Sequence, residues 1–162
     1  RSSDLGCGPG HVVHHLNGLG LNAVGYDISP GQIVEATKAF PELRFLPGDL
    51  ADIEADDASI GGIVSWYSLI HHDPAGLGEV FTEWMRALEP GAPLLAAFFG
   101  STTAKTHGTS FDHKVITAYE LWPAAIAENL RATGFIDIEV GEFPPPEGGR
   151  PFNRAMVLAA RP

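Results

Sequence analysis

Three glycines at alternate positions follow an acidic residue near the start of the chain, in the run Asp4-Leu5-Gly6-Cys7-Gly8-Pro9-Gly10. Glycine adopts positive φ at little steric cost, and it has no side chain to hold a ligand away from the main chain. At the start of a helix, such a loop also presents backbone amides to a bound group. The run differs from the dinucleotide pattern Gly-x-Gly-x-x-Gly, whose third glycine would fall on His11. It therefore predicts a ligand that lies directly on the backbone.

Two acidic residues follow predicted strands further along the chain. Asp27 ends the apolar run 22–26, and Asp49 lies in the turn 47–50 after the predicted strand 43–46. A carboxylate at Asp27 can accept hydrogen bonds from both hydroxyls of a ribose. Nicotinamide dehydrogenases also carry an acid near this place, so Asp27 alone does not distinguish the two classes of nucleoside cofactor.

Histidines are the candidates for proton transfer. His71 and His72 follow the predicted buried strand that begins at residue 62, and an imidazole suits a general base at neutral pH. His71 is the preferred base, although both rings could instead only fill the loop before the next helix. A second group, His11, His14 and His15, has the spacing of one helical face, but no cysteine or carboxylate completes a ligand set. We therefore predict no metal site.

Together these segments resemble the class I S-adenosylmethionine-dependent methyltransferases, whose first motif is an acidic residue followed by Gly-x-Gly-x-Gly. Residues 62–72 resemble the fourth motif of that family, and residues 88–95 resemble its helix end, Pro-Gly turn and fifth strand. The resemblance covers essentially the whole chain. It implies S-adenosylmethionine as cofactor, S-adenosylhomocysteine as product, and methyl transfer to a small-molecule acceptor whose reacting atom stays open.

The resemblance also implies the residues of the site. Those at the cofactor would be Asp4, Gly6, Cys7, Gly8 and Gly10 in the first loop, Asp27 and Ile28 in the second, Asp49 and Leu50 in the third, and Trp66 in the fourth. Asp4 would assist the methionine ammonium, Asp27 would bind the ribose, and Asp49 would accept from the adenine amino group. Ile28 and Leu50 would enclose the adenine, and the main chain near Trp66 would lie beside the sulfur. Residues 100–119 would shape the acceptor pocket.

Two other functions stay open. One is an NAD-dependent oxidoreductase, which the glycine spacing and a predicted pair of terminal strands disfavour. The other is a non-catalytic nucleoside-binding module, which nothing in the sequence excludes.

These loops require a sheet that brings them to one edge. Alternating strand and helix patterns predict a doubly wound, Rossmann-like α/β fold, with a mostly parallel sheet, an antiparallel C-terminal strand pair and helices on both faces. The helices are predicted after Gly10, from Pro30, over residues 76–88, and from Pro123 to the residue before Gly134. Pro123 is placed at a helix start because an interior proline costs about 3 kcal/mol.

Two buried stripes and a cap are predicted from helical spacing. The first helix would bury Val12, Leu16 and Leu19, and the second would bury Ile33, Thr37 and Phe40. Ser29 and Gln32 have the spacing of a capping box at the start of the second helix.

Composition limits the class of protein. The chain has 162 residues, which suffices for one domain spanning 1–162, and ten basic against twenty acidic residues give a net charge of −10. That charge disfavours nucleic acid and anionic membrane surfaces as partners. The single cysteine forms no internal disulfide, and no run has membrane-spanning length. Without a visible signal peptide we expect a cytoplasmic protein, and the resemblance implies that helices upstream of the first strand are missing. The sequence leaves the oligomeric state open.

Overall fold

The computed structural model describes residues 1–102, 109–113, 116–145, 147–148 and 151–162. Its strands are β1 (Ser2–Leu5), β2 (Ala23–Asp27), β3 (Arg44–Pro47), β4 (Gly62–Trp66), β5 (Pro93–Gly100), β6 (Thr109–His113), β7 (Ile116–Glu120), β8 (Ile136–Phe143) and β9 (Asn153–Ala160). Its helices are α1 (His11–Gly18), α2 (Pro30–Ala39), α3 (Leu77–Ala87) and α4 (Pro123–Thr133).

Seven strands form one sheet in the order β3-β2-β1-β4-β5-β9-β8. The first five pair in parallel, whereas β9 runs antiparallel to both β5 and β8. Two core clusters form, one between the sheet and α3 and α4, the other around Val13 of α1 and Ala36 of α2. The predicted doubly wound fold with an antiparallel C-terminal pair is confirmed.

The second half of the chain forms the predicted helices. Helix α3 buries Leu77, Val80, Phe81 and Trp84, as the helical spacing predicts. Helix α4 begins at Pro123 and ends at Gly134, whose φ of 105° is a left-handed cap conformation. Its start at a proline costs no hydrogen bond, because the first helical amide has no partner within the helix.

The stripe predicted for α1 is confirmed only at Leu16, which packs against the core, because Val13 is buried in place of Val12. Val13 is fully buried, whereas Leu19 is 66% exposed and lies beyond the end of the helix. The physical reason is a close approach at Gly10, where an added Cβ would lie 2.7 Å from Cζ of Phe45. The chain therefore packs closely against Phe45 of β3 at the start of α1.

The same close packing changes which side chains of α2 are buried. Ala36 is its buried residue, Thr37 is exposed, and Ile33 and Phe40 pack at the margin of the core. Only half of the predicted capping box forms. Ser29 Oγ accepts from the Gln32 amide at 3.4 Å, but the Ser29 amide donates to Asp27 Oδ1 at 2.9 Å.

The stretch 100–119, predicted to shape the acceptor pocket, contains β6 and all but the last residue of β7, which pair antiparallel. A bridge between Gly100 and Leu121 joins the two ends of this excursion, and β7 packs on the 3₁₀ turn Leu69–His71. Lys105 and His107, the polar candidates in this stretch, lie outside the described residues. Within the described ranges, none of the helices has the length and hydropathy needed to cross a bilayer.

Candidate active site

A cavity of about 600 Å³ opens at the carboxyl ends of β1, β2, β3 and β4. The strand order reverses between β1 and β4, and ligands of doubly wound sheets bind at such switch points. Its lining residues follow the ends of these four strands: Gly6, Gly8, Asp27, Ile28, Ser29, Gln32, Gly48, Asp49, Leu50, Tyr67, Ser68, His71 and His72.

The glycine loop forms the floor of the cavity. The amides of Gly6 and Cys7 both donate to the Tyr26 carbonyl, at 2.8 and 2.9 Å. A Cβ on Gly6 would lie 2.2 Å from Cβ of Ser68, so only glycine lets the turn after β4 come this close. Gly8 has φ of +50° and little beside it, so a side chain there would enter the cavity. Gly10 serves packing and does not line the cavity.

Asp27 connects the glycine loop to α2. Its Oδ2 accepts from the Gly8 amide at 2.8 Å, and its Oδ1 accepts from the Ser29 amide at 2.9 Å. Each carboxylate oxygen keeps further acceptor capacity toward the cavity. Asp27 therefore orders the loop and also presents negative charge to a ligand.

Asp4 lies behind the glycine loop and does not line the cavity. It is 1% exposed, and neither carboxylate oxygen has a hydrogen-bond partner among the described residues. Burial, with a smaller contribution from the charge of Asp27, raises the pKa of Asp4 to about 7. Burial and the same carboxylates raise the pKa of Cys7 to about 12, so its thiol stays neutral.

The Asp4→Asn variant is expected to remove a pH dependence of stability. Because the folded-state pKa of Asp4 exceeds its ordinary value, its contribution is complete below about pH 4 and is lost as pH rises to 7. That shift corresponds to roughly 4 kcal/mol in the free energy of unfolding. Urea unfolding of both proteins from pH 4 to 8 measures the difference. Parallel profiles would mean that folded Asp4 ionises normally.

The adenine side of the cavity is more open. Ile28 is 70% exposed and Leu50 is half-buried, and both side chains line the cavity. Asp49 accepts from the Ala51 amide at 2.9 Å through Oδ1, which holds the carboxylate at the cavity edge.

The sequence predicts that the main chain near Trp66 lies beside the cofactor, and the side chain that lines the cavity there is that of the next residue, Tyr67. The backbone explains this placement, because Tyr67 has φ of 59°, which turns the chain sharply at the end of β4. The Tyr67 amide donates to Ala97 on β5 at 2.8 Å. Ser68 is also missed, although a small polar residue facing a glycine loop is a usable signal.

Both candidate histidines line the cavity, in different settings. His71 is exposed, with Nδ1 3.4 Å from the Thr117 carbonyl of β7. The His72 ring packs on Gly76, where an added Cβ would meet Nε2 at 2.9 Å.

The ring of His14 stacks on Phe40 with centroids 4.5 Å apart. Among the residues whose placement is described, no cluster of three metal-ligating side chains occurs.

The chain is similar to methyltransferases in sequence. The family model of the methyltransferase domain matches residues 3–91. Demethylmenaquinone methyltransferase of Beutenbergia cavernae is 24% identical over 144 residues, which cover 89% of this chain and 59% of that relative. This chain therefore spans little more than half the length of that enzyme.

Solved structures share the fold. An S-adenosylmethionine-dependent methyltransferase of Methanosarcina mazei superposes with a TM-score of 0.83 at 20% identity, over 98% of this chain and 91% of that one. Phosphoethanolamine N-methyltransferase 2 of Haemonchus contortus, solved with S-adenosylmethionine, superposes with a TM-score of 0.81 at 18% identity, over 100% and 48%. Because the family model matches more than half of the sequence, this chain belongs to the class I S-adenosylmethionine-dependent methyltransferase family.

Proposed function

We propose that the cavity binds S-adenosylmethionine and that the domain transfers its methyl group to a small-molecule acceptor. The observation that carries the proposal is that Gly8, Asp27 and Asp49, from three separate loops, line one cavity at the switch point of the sheet. An adenosyl ligand needs this combination, which is a bare backbone, an acceptor for ribose hydroxyls and an acceptor for an adenine amino group.

The residues present fit the charge of this cofactor. Asp4 is a buried carboxylate with no partner in the described part of the chain, next to the loop assigned to the methionine end. A ligand ammonium bound at that loop would stabilise the ionised form of Asp4 by its charge, without entering the buried space behind the loop. When bound, S-adenosylmethionine supplies a sulfonium methyl that an acceptor attacks in line.

The protein's own tasks are then to orient the acceptor, exclude water and remove a proton where the acceptor carries one. His71 is the proposed base, because it lines the cavity and a contact with β7 holds its ring. His72 is packed on Gly76 and is assigned a supporting role.

Substitution of the two histidines separates these roles. His71→Ala is expected to lower turnover of a hydroxyl or amine acceptor about 100-fold, with unchanged affinity for S-adenosylhomocysteine, because only proton transfer is lost. His72→Ala is the matched control and retains most activity. Turnover that collapses only in His72→Ala would reverse the assignment, and full activity in both variants would make the pair structural.

The acceptor differs among the similar proteins, since the names of two of them specify demethylmenaquinone and phosphoethanolamine. These names support a small-molecule acceptor without selecting one. The polar stretch 100–119, whose strand β7 packs beside His71, is proposed to shape the acceptor pocket.

Thermal shift with S-adenosylhomocysteine and NAD in parallel tests the proposed cofactor. A ligand at 100 times its dissociation constant adds about 2.7 kcal/mol by binding only the folded state. For a domain of this size that raises Tm by roughly 5 to 10 °C. We expect this shift with S-adenosylhomocysteine alone. Stabilisation by NAD alone would favour an oxidoreductase, whereas S-adenosylhomocysteine binding without transfer to any acceptor would favour a nucleoside-binding module.

A further inference from the structure

Four aromatic rings contact one another in series, and one of them, Tyr67, lines the cavity. Ring centroids are 5.7 Å apart for Trp66 and Tyr67, 4.8 Å for Tyr67 and Phe99, and 5.2 Å for Phe99 and Phe152. We call these four residues the aromatic cluster. Tyr67 lines the cavity, and Trp66 is 45% exposed, so the cluster extends from the cavity wall to solvent.

Arg154 lies beside the aromatic cluster. On β9 it is the register partner of Phe99 on β5 and of Phe143 on β8, so these three side chains share one face of the sheet. Its charge lowers the pKa of Tyr67, which burial raises by a larger amount. Arg154 is thus one cross-strand neighbour, Phe99, away from Tyr67, whose ring centroid lies 4.8 Å from that of Phe99.

The guanidinium of Arg154 is incompletely paired. Among the residues that the structure describes, its buried Nε has no hydrogen-bond partner, and Nη2 donates only to the Pro144 carbonyl, at 3.4 Å. Neither of the ion pairs found among the described residues involves Arg154, although the chain carries twenty carboxylates. A half-buried cation is unfavourable without an anion. The guanidinium of Arg154 is therefore suited to pair with an anionic group of a ligand.

The sheet face around Arg154 is also less covered than the opposite face. Leu94 and Phe98 of β5 are fully buried in the core cluster that includes α3 and α4. Side chains of the other face remain accessible, with Leu158 47% and Phe143 40% exposed. Tyr67 connects this face of the sheet to the cavity, because it lines the cavity and its ring contacts that of Phe99. Its positive φ holds it there at a cost of about 1 to 3 kcal/mol.

We propose that the aromatic cluster and Arg154 form the acceptor subsite, and that the acceptor is a planar aromatic anion. Its ring would stack on the exposed Trp66 and Tyr67, and its anionic group would pair with the Arg154 fork. The inference rests on the proposed function, because it assigns the second substrate of the same cavity.

Calorimetric titration with 2-naphthoate tests the subsite without requiring catalysis. We expect saturable binding to the unaltered chain, at least tenfold weaker binding to Arg154→Gln, and weaker binding to Trp66→Ala, whose exposed position preserves folding. The neutral analogue 2-naphthamide should bind both the unaltered chain and Arg154→Gln equally weakly. Arg131→Gln, an exposed position on α4, is the matched charge control and should behave as the unaltered chain.

Three outcomes would overturn the subsite. The first is that Arg154→Gln and the unaltered chain bind 2-naphthoate equally well. The second is that the unaltered chain binds cyclohexanecarboxylate as tightly as 2-naphthoate. The third is that Arg154→Gln differs from the unaltered chain only in its oligomeric state, as measured by sedimentation. S-adenosylhomocysteine should raise the Tm of Arg154→Gln as much as that of the unaltered chain. Absence of that shift in the unaltered chain, with Arg154-dependent naphthoate binding, would refute the proposed cofactor and support the anion site.

Discussion

Replacing Asp27 with Asn is expected to weaken S-adenosylhomocysteine binding by about 100-fold. Two charge-assisted hydrogen bonds to the ribose, at roughly 1.5 kcal/mol or more each, would be lost, and each 1.4 kcal/mol is a tenfold change in affinity. The same carboxylate holds the Gly8 and Ser29 amides, and an asparagine side chain has only one oxygen to accept them. In Asp27→Asn the glycine loop is therefore held less firmly, in addition to the loss of the ribose contact.

Titration calorimetry of Asp27→Asn measures the affinity, and a thermal scan without ligand measures the loop. We expect the unliganded Tm to fall by only about 2 to 4 °C, as one backbone hydrogen bond contributes about 1 kcal/mol. Glu35→Gln, which removes an exposed carboxylate of the neighbouring α2, is the control and should leave both values unchanged. An unaltered dissociation constant for Asp27→Asn would place the ribose elsewhere.

Replacing Gly6 with Ala is expected to destabilise the fold by about 4 kcal/mol. The added Cβ would lie 2.2 Å from Cβ of Ser68, and this overlap costs roughly 1 to 3 kcal/mol. Relief requires Ser68 to move, which breaks its buried hydrogen bond to the Leu5 carbonyl at 2.5 Å. The left-handed backbone at φ +76° adds about 1 to 2 kcal/mol for any L side chain.

The Gly91→Ala variant separates the cost of the steric overlap with Ser68 from the cost of the left-handed backbone. Gly91 has φ of +78°, nearly that of Gly6, but an added Cβ there meets nothing within 4 Å. Its loss should be only about 1 to 2 kcal/mol, measured by urea unfolding alongside Gly6→Ala. Equal losses in the two variants would show that Ser68 does not rest against the glycine loop.

The local signals of the sequence determined much of this protein. Helices α3 and α4 follow their predicted spacing because each has about three turns, an apolar stripe or a proline start, and a clear stop. The glycine spacing, with the acids at 27 and 49, predicted both the family and the edge of the sheet where the cavity forms. Parallel strands joined by helices must present those turns at one edge, so local patterns suffice for this conclusion.

Contacts between distant segments were decided only by the tertiary structure. Val13 is buried in place of Leu19 because Gly10 approaches Phe45, which lies 35 positions away and leaves no periodic trace in α1. Asp4 is sequestered behind its loop, and the Tyr67 side chain lines the cavity, because strand register and one positive φ set where each side chain points. Arg154 meets Phe99 only through antiparallel pairing of β5 and β9. Periodicity along one segment shows which residues share a face, but the partner of that face depends on how the sheet assembles.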